Sequence, residues 1–182
     1  MKKTTIVFAV SLIALAVAFA QTLPVADGTA SPGEYARVEA LKDMNFHYTI
    51  SPDGSTAYLA LVAPTKGWVS IGLGSRKMDG AFMVLGMDEA GKATISEETG
   101  VKHRHNPNPT KRLVAEAVKE SGNATTLEFA VPLAGLARDG SAHRLQFSAG
   151  VLDHGFGTLK IPRAALGTQP RDDLLRSHFA AG

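Results

Sequence analysis

The sequence predicts an all-β protein, an antiparallel β-sandwich of about eight to ten strands. Short segments of alternating polar and apolar residues recur from about residue 35 to residue 151. Sequences rich in glycine, proline and aspartate separate these segments and are typical of tight turns. A short helix near the C-terminus, over residues 172–179, is the one helical element that we expect after residue 35.

The first two predicted strands form a hairpin. Residues 45–50 alternate in polarity and place Phe46, Tyr48 and Ile50 on one face of a strand. Residues 51–55 then supply a turn, because proline fixes φ and glycine permits positive φ. We expect residues 56–62 to return as the partner strand.

The next three strands carry the centre of the domain. Residues 68–73 have a period of two that places Val69, Ile71 and Leu73 on one face. Residues 81–87 are apolar on both faces, as expected for a central strand. Residues 88–92 form a turn and residues 93–96 a short strand.

A polar segment follows, and then the last strands. We expect residues 99–111 to be a loop. Residues 113–118, 126–131 and 144–151 are the remaining predicted strands. The first of these is the weakest prediction, since residues 114–120 have a composition that also suits a helix. Its short length and its β neighbours favour a strand.

The N-terminus predicts export. Lys2 and Lys3 precede an apolar run that ends in Ala18-Phe19-Ala20, the small-x-small pattern of a signal-peptide cleavage site. We expect residues 1–20 to be removed, residues 21–34 to be a flexible tail and residues 35–182 to form a single domain. The expected location is periplasmic or secreted, with no stable membrane anchor after cleavage.

Composition excludes several classes of function. The chain has no cysteine, which excludes disulfides, covalent CxxCH haem attachment and iron–sulfur clusters. Without the two signal-peptide lysines, 17 basic residues balance 17 acidic residues. A formal charge of zero gives no argument for nucleic acid as a partner. Motifs for serine hydrolases, zinc peptidases and phosphate-binding loops are also missing.

One block of sequence resembles a known family. Gly67-Trp68-Val69-Ser70-Ile71-Gly72-Leu73-Gly74 is followed by Met78-Asp79-Gly80-Ala81 and an apolar strand. This block resembles the DOMON domain family, and the resemblance covers roughly residues 35–160. It implies a sandwich of immunoglobulin-like architecture. It also points to the branch that binds b-type haem, as in the cytochrome domain of cellobiose dehydrogenase and plant auxin-induced b-type cytochromes.

The resemblance implies a non-covalent haem b with two axial ligands from the protein. The matching positions are Met78 and His154, and Phe156 is expected to line the haem pocket. A thioether is a soft donor that suits haem iron, and the glycines around Phe156 allow close approach of a flat ligand. With both axial positions filled, the expected role is electron transfer rather than catalysis. The partner is expected to be a separate redox protein or a small-molecule electron donor or acceptor.

Two other readings of the sequence stay open. The family also contains haem-free modules that bind carbohydrates or proteins, although this chain has a low aromatic content for sugar stacking. His103 and His105 are two residues apart and would face the same way on an extended segment, a spacing that suits copper, nickel or zinc. Together with the methionines, they would suit periplasmic copper handling. The alternative for this segment is a solvated basic loop.

Overall fold

The computed structural model describes residues 22–75, 78–134, 136, 146–151 and 157–160, the last two ranges by their backbone. Within these ranges the chain forms eleven strands and no helix. The strands are β1 (Arg37–Leu41), β2 (Met44–Ile50), β3 (Thr56–Ala63), β4 (Val69–Leu73), β5 (Phe82–Glu89), β6 (Lys92–Val101), β7 (Arg104–Pro107), β8 (Ala115–Ser121), β9 (Ala124–Pro132), β10 (Gln146–Val151) and β11 (Gly157–Lys160).

The strands form two antiparallel sheets that pack as a sandwich, as the sequence predicts. The first sheet has the order β1-β2-β3-β9-β8, and the second has the order β11-β10-β4-β5-β6-β7. Between them lies a core of buried apolar side chains from both sheets. Its largest fully buried members include Phe46, Phe129, Met44, Leu59, Leu61, Ile71, Leu73 and Leu127. Burial of this apolar surface is the main force that holds a domain without disulfides together.

The alternation of β4 determines which residues face out of the sandwich. Val69, Ile71 and Leu73 are at most 1% exposed and belong to the core, as predicted. Since side chains alternate along a strand, Ser70 and Gly72 face the opposite side of the sheet. The second sheet therefore has an outer face, on which the candidate site lies.

The described strands number eleven rather than eight to ten, and β7 explains part of the difference. It lies within residues 99–111, so the prediction of a loop there is wrong in part. All four β7 residues are exposed and lack an apolar period, and the strand is held by backbone pairing to the end of β6. Hydrophobic periodicity does not detect an edge strand of this kind. The ambiguous segment after it does contain a strand, β8, as predicted.

The segment before β1 is anchored to the first sheet. Residues 22–36 contain no helix or strand, but the backbone N–H groups of Asp27, Gly28 and Thr29 all donate to Oε2 of Glu128 in β9. The Tyr35 hydroxyl donates to Oε1 of the same carboxyl group at 2.8 Å. These hydrogen bonds favour an ordered segment, whereas composition predicts a flexible tail over residues 21–34.

Several predictions fall outside the described residues, among them the signal peptide (residues 1–20) and the C-terminal helix (172–179). Within the described ranges, no helix has the length and apolar character needed to cross a membrane.

The turn between β2 and β3 gives a prediction for pH dependence. Asp53 accepts hydrogen bonds from the Ser51 hydroxyl and from the N–H and hydroxyl of Ser55. These bonds, that of Ser51 first, lower the pKa of Asp53 from 3.8 to about 2. A lowered pKa means that this stabilisation is complete above the unfolded-state pKa and is lost as pH falls through the folded-state pKa.

We therefore expect Asp53→Ala to lower the free energy of unfolding at neutral pH, and the difference from wild type to shrink between about pH 4 and about pH 2. Urea unfolding of both proteins across this range measures the difference. A gap that stays constant down to pH 2 would contradict the assignment.

Candidate functional site

A pocket of about 280 Å³ opens on the outer face of the second sheet. Ser70 in β4 and Met83 and Leu85 in β5 contribute to its floor, each alternating with core residues. The other lining residues are Trp68, Met78 and His105. Its walls are thus mostly apolar, with two thioethers and one imidazole as potential ligands to a metal or a cofactor.

Met78 enters this pocket from the loop between β4 and β5. The loop is hydrogen-bonded to the end of β6: Gly80 N–H donates to the Gly100 carbonyl, and Gly100 N–H donates to the Ala81 carbonyl, both at 2.9 Å. The Asp79 carboxylate accepts from the backbone N–H of Lys102 at 2.8 Å. Asp79 and Gly80 therefore hold the loop against the end of β6, and Met78 lies half-buried in the pocket.

The close approach of this loop depends on Gly100. A Cβ atom at that position would lie 1.7 Å from the carbonyl oxygen of Met78 and 3.1 Å from its Cγ. No side chain fits there unless the loop moves, since backbone atoms cannot yield as the end of a side chain can. Gly100 therefore sets the position of Met78.

His105 reaches the pocket from β7, and its ring is oriented by a carboxylate. Nδ1 of His105 contacts Oε2 of Glu98 in β6, and the Ser96 hydroxyl donates to Oε1 of Glu98 at 2.7 Å. Burial of Glu98 opposes its ionisation, but the hydrogen bonds from His105 and Ser96 outweigh it and lower the pKa of Glu98. Because Nδ1 is engaged, Nε2 is the ring nitrogen left for another partner.

The structure describes one of the three predicted site residues. Met78 lies in the pocket, whereas His154 and Phe156 lie outside the described residues. The strand that precedes them, β10, pairs with β4 and sets Gly150 opposite Ser70. β10 is thus a member of the sheet that carries the pocket, and it ends at Val151, three residues before His154 in the sequence.

Four lining residues were not predicted as site residues. Trp68 is half-buried in the outer pocket and is not part of the core cluster. Ser70, Met83 and Leu85 were not predicted as site residues either, whereas His105 was named only in the alternative copper reading. One signal was available: residues 81–87 are apolar on both faces, and an apolar outer face indicates that something covers it. His103 lies in the β6–β7 turn and does not line the pocket.

A second cavity, of about 450 Å³, lies beside the same loop and is lined in part by Phe82, Thr99, Asn108 and Arg112. The Arg112 guanidinium lies 5.3 Å from the centre of the Phe82 ring. Among the described residues that line this cavity, Phe82 is the one aromatic residue, and the Arg112 guanidinium lies over its ring. The described part of the lining therefore offers no uncovered ring on which a sugar could stack.

Comparison with known proteins agrees with the fold. The cytochrome domain of cellobiose dehydrogenase from Myriococcum thermophilum superposes with a TM-score of 0.50 and 13% sequence identity, over 67% of this chain and 76% of that chain. A search of curated proteins found no match. The family model of the DOMON domain matches residues 40–146, which is more than half of the sequence. The chain therefore belongs to the DOMON domain family.

Proposed function

We propose that the protein is an exported b-type cytochrome-like domain that binds one haem non-covalently and transfers electrons. The observation that carries the proposal is Met78, a thioether held at the edge of an apolar pocket by a loop that Gly100 positions. The similarity of the fold to that of a solved cytochrome domain also supports the proposal.

The described residues suit a haem in their chemistry. Trp68, Met83 and Leu85 provide an apolar surface for a porphyrin ring, and Met78 provides a neutral, soft donor. On the family resemblance of that segment, we propose that His154 would be the second iron ligand and that Phe156 would contact the haem.

In this proposal the protein binds the haem and determines its surroundings. Bound haem would supply a one-electron redox couple. Met78 and His154 would hold the haem iron as its two protein ligands and would leave no iron position for a substrate, which favours electron transfer over catalysis. Methionine ligation tends to raise the reduction potential, and exclusion of water by Trp68 and Leu85 tunes it further. The donor and acceptor would be separate redox proteins or small molecules outside the cytoplasm.

Haem reconstitution of the mature protein tests the proposal. We expect one equivalent to bind, a sharp low-spin α-band to appear on reduction, and fluorescence to fall, since Trp68 is the only tryptophan. The variant His154→Ala is expected to lose the low-spin band, whereas His103→Ala, in the exposed β6–β7 turn, is expected to keep it. Absence of the band in the wild type, or an unchanged spectrum in His154→Ala, would overturn the assignment.

A further inference from the structure

We infer that Met78, Met83 and His105 form a binding site for Cu(I), with Trp68 in the same pocket. All four side chains line one pocket on the outer face of the second sheet. This inference does not rest on haem binding, because it uses His105 and does not need His154.

The strand register brings the three donors together. Met78 lies directly against Gly100, and Gly100 is the partner of His105 in the β6–β7 pair. Residues opposite each other in an antiparallel pair have Cα atoms about 4.5–5.5 Å apart, so the Met78 and His105 side chains start from neighbouring positions. Met83 faces outward from β5 opposite Glu98, the residue that contacts the His105 ring. Both thioethers therefore line the same pocket as the imidazole.

The His105 ring is also oriented in the way that is typical of a metal-binding histidine. Metal-binding histidines commonly use one ring nitrogen for a carboxylate and the other for the metal. Glu98 occupies Nδ1 of His105, and Ser96 in turn holds Glu98. The ring is thus fixed through two hydrogen bonds, with Nε2 left for a metal.

The donor set selects the metal. Two thioethers and one imidazole are soft or intermediate neutral donors, which suit Cu(I) and are poor ligands for hard cations. In the part of the chain that the structure describes, no group of three or more His, Cys, Asp or Glu side chains could hold a metal ion. The indole of Trp68 adds a π-face that attracts a bound cation.

Titration with Cu(I) under reducing, oxygen-free conditions, against a chromophoric Cu(I) chelator, tests the site in haem-free mature protein. One equivalent should bind and quench the single tryptophan. We expect Cu(I) binding to weaken about tenfold or more in each of the variants Met78→Leu, Met83→Leu and His105→Gln. We expect Glu98→Gln to weaken it about tenfold, because Glu98 orients the His105 ring. Leucine keeps the volume of methionine, so these variants should fold.

Two matched variants control for general effects. Met87→Leu removes a methionine that lies on the same face of β5 outside the pocket lining, and His103→Gln removes the neighbouring histidine. Both should bind Cu(I) within about twofold of wild type. The site would be wrong if His105→Gln and Met78→Leu bound as tightly as these controls, or if no equivalent bound.

The copper and haem proposals are distinguishable because they share Met78 alone among their ligands. His105→Gln should lose Cu(I) and keep a low-spin haem spectrum, and His154→Ala should do the reverse. Failure of the haem test would leave the Cu(I) titration unaffected.

Discussion

Met78→Leu is expected to abolish the low-spin spectrum of the reconstituted protein and to weaken haem binding about tenfold or more, equivalent to about 1.4 kcal/mol. Leucine is close to methionine in volume and preserves the apolar wall, so the lost quantity is the sulfur ligand. The measurements are the reduced absorption spectrum and quenching of Trp68 by added haem. A low-spin band that persists in Met78→Leu would exclude this sulfur as the ligand.

Gly100→Ala should give the same loss although it leaves the sulfur in place. The new Cβ would lie 1.7 Å from the Met78 carbonyl oxygen, so the loop must move away from β6. This variant tests whether the position of Met78, and not its presence alone, matters for binding.

Gly86→Ala is the matched control for Gly100→Ala. It also adds a methyl group in a tight place, 2.7 Å from Cδ1 of Leu127, but in the core and on the inward face of β5. Both variants should lower the thermal midpoint, and only Gly100→Ala should change the haem spectrum. If Gly86→Ala changed the spectrum to the same degree, the effect would be one of general stability.

The fold could be predicted from the sequence where burial of one face of a strand produces an alternation of polar and apolar residues. In β2, burial follows the predicted alternation closely, and in β4, which is buried along its whole length, the core-facing residues are the predicted ones. The edge strand β7 escaped prediction because backbone hydrogen bonds hold it and its side chains are all exposed. Pairing between backbones is a property of the register and has no signature in residue type.

The candidate site was predictable only where a local motif marks it. Met78 stands in a short segment whose neighbours Asp79 and Gly80 have visible structural roles. His105 and Met83 come from different strands, and their proximity to Met78 depends on the β5–β6 and β6–β7 registers. Their place in one pocket thus required the structure.

The largest effect on stability is expected at Glu128. Its side chain is fully buried and its two carboxyl oxygens accept four hydrogen bonds, three from the backbone of residues 27–29 and one from Tyr35. Burial, then the hydrogen bond to Glu128 and its charge, raise the pKa of Tyr35, which keeps the phenol protonated as a donor. One side chain of β9 therefore satisfies the donors of a segment about one hundred residues earlier in the chain.

Glu128→Ala should lower the free energy of unfolding by about 3–5 kcal/mol, because it leaves two buried donors, the Gly28 N–H and the Tyr35 hydroxyl, without an acceptor, and each costs about 1–3 kcal/mol. The N–H groups of Asp27 and Thr29 are only part-buried and add less. Glu116→Ala is the matched control. That carboxylate pairs at 3.0 Å with Lys111, which is well exposed, and such surface pairs contribute less than about 1 kcal/mol. Urea unfolding measures both losses on one scale.

Limited proteolysis separates the anchoring of the N-terminal segment from general stability. If Glu128 orders residues 22–36, a protease should cut this segment in folded Glu128→Ala well before the remainder of the domain, whereas in wild type and Glu116→Ala it should survive under the same conditions. Early cleavage in the wild type would instead favour the flexible tail that composition predicts. The anchored form would mean that residues 22–36 are part of the folded domain, since donors that face a buried carboxylate cannot be released without cost.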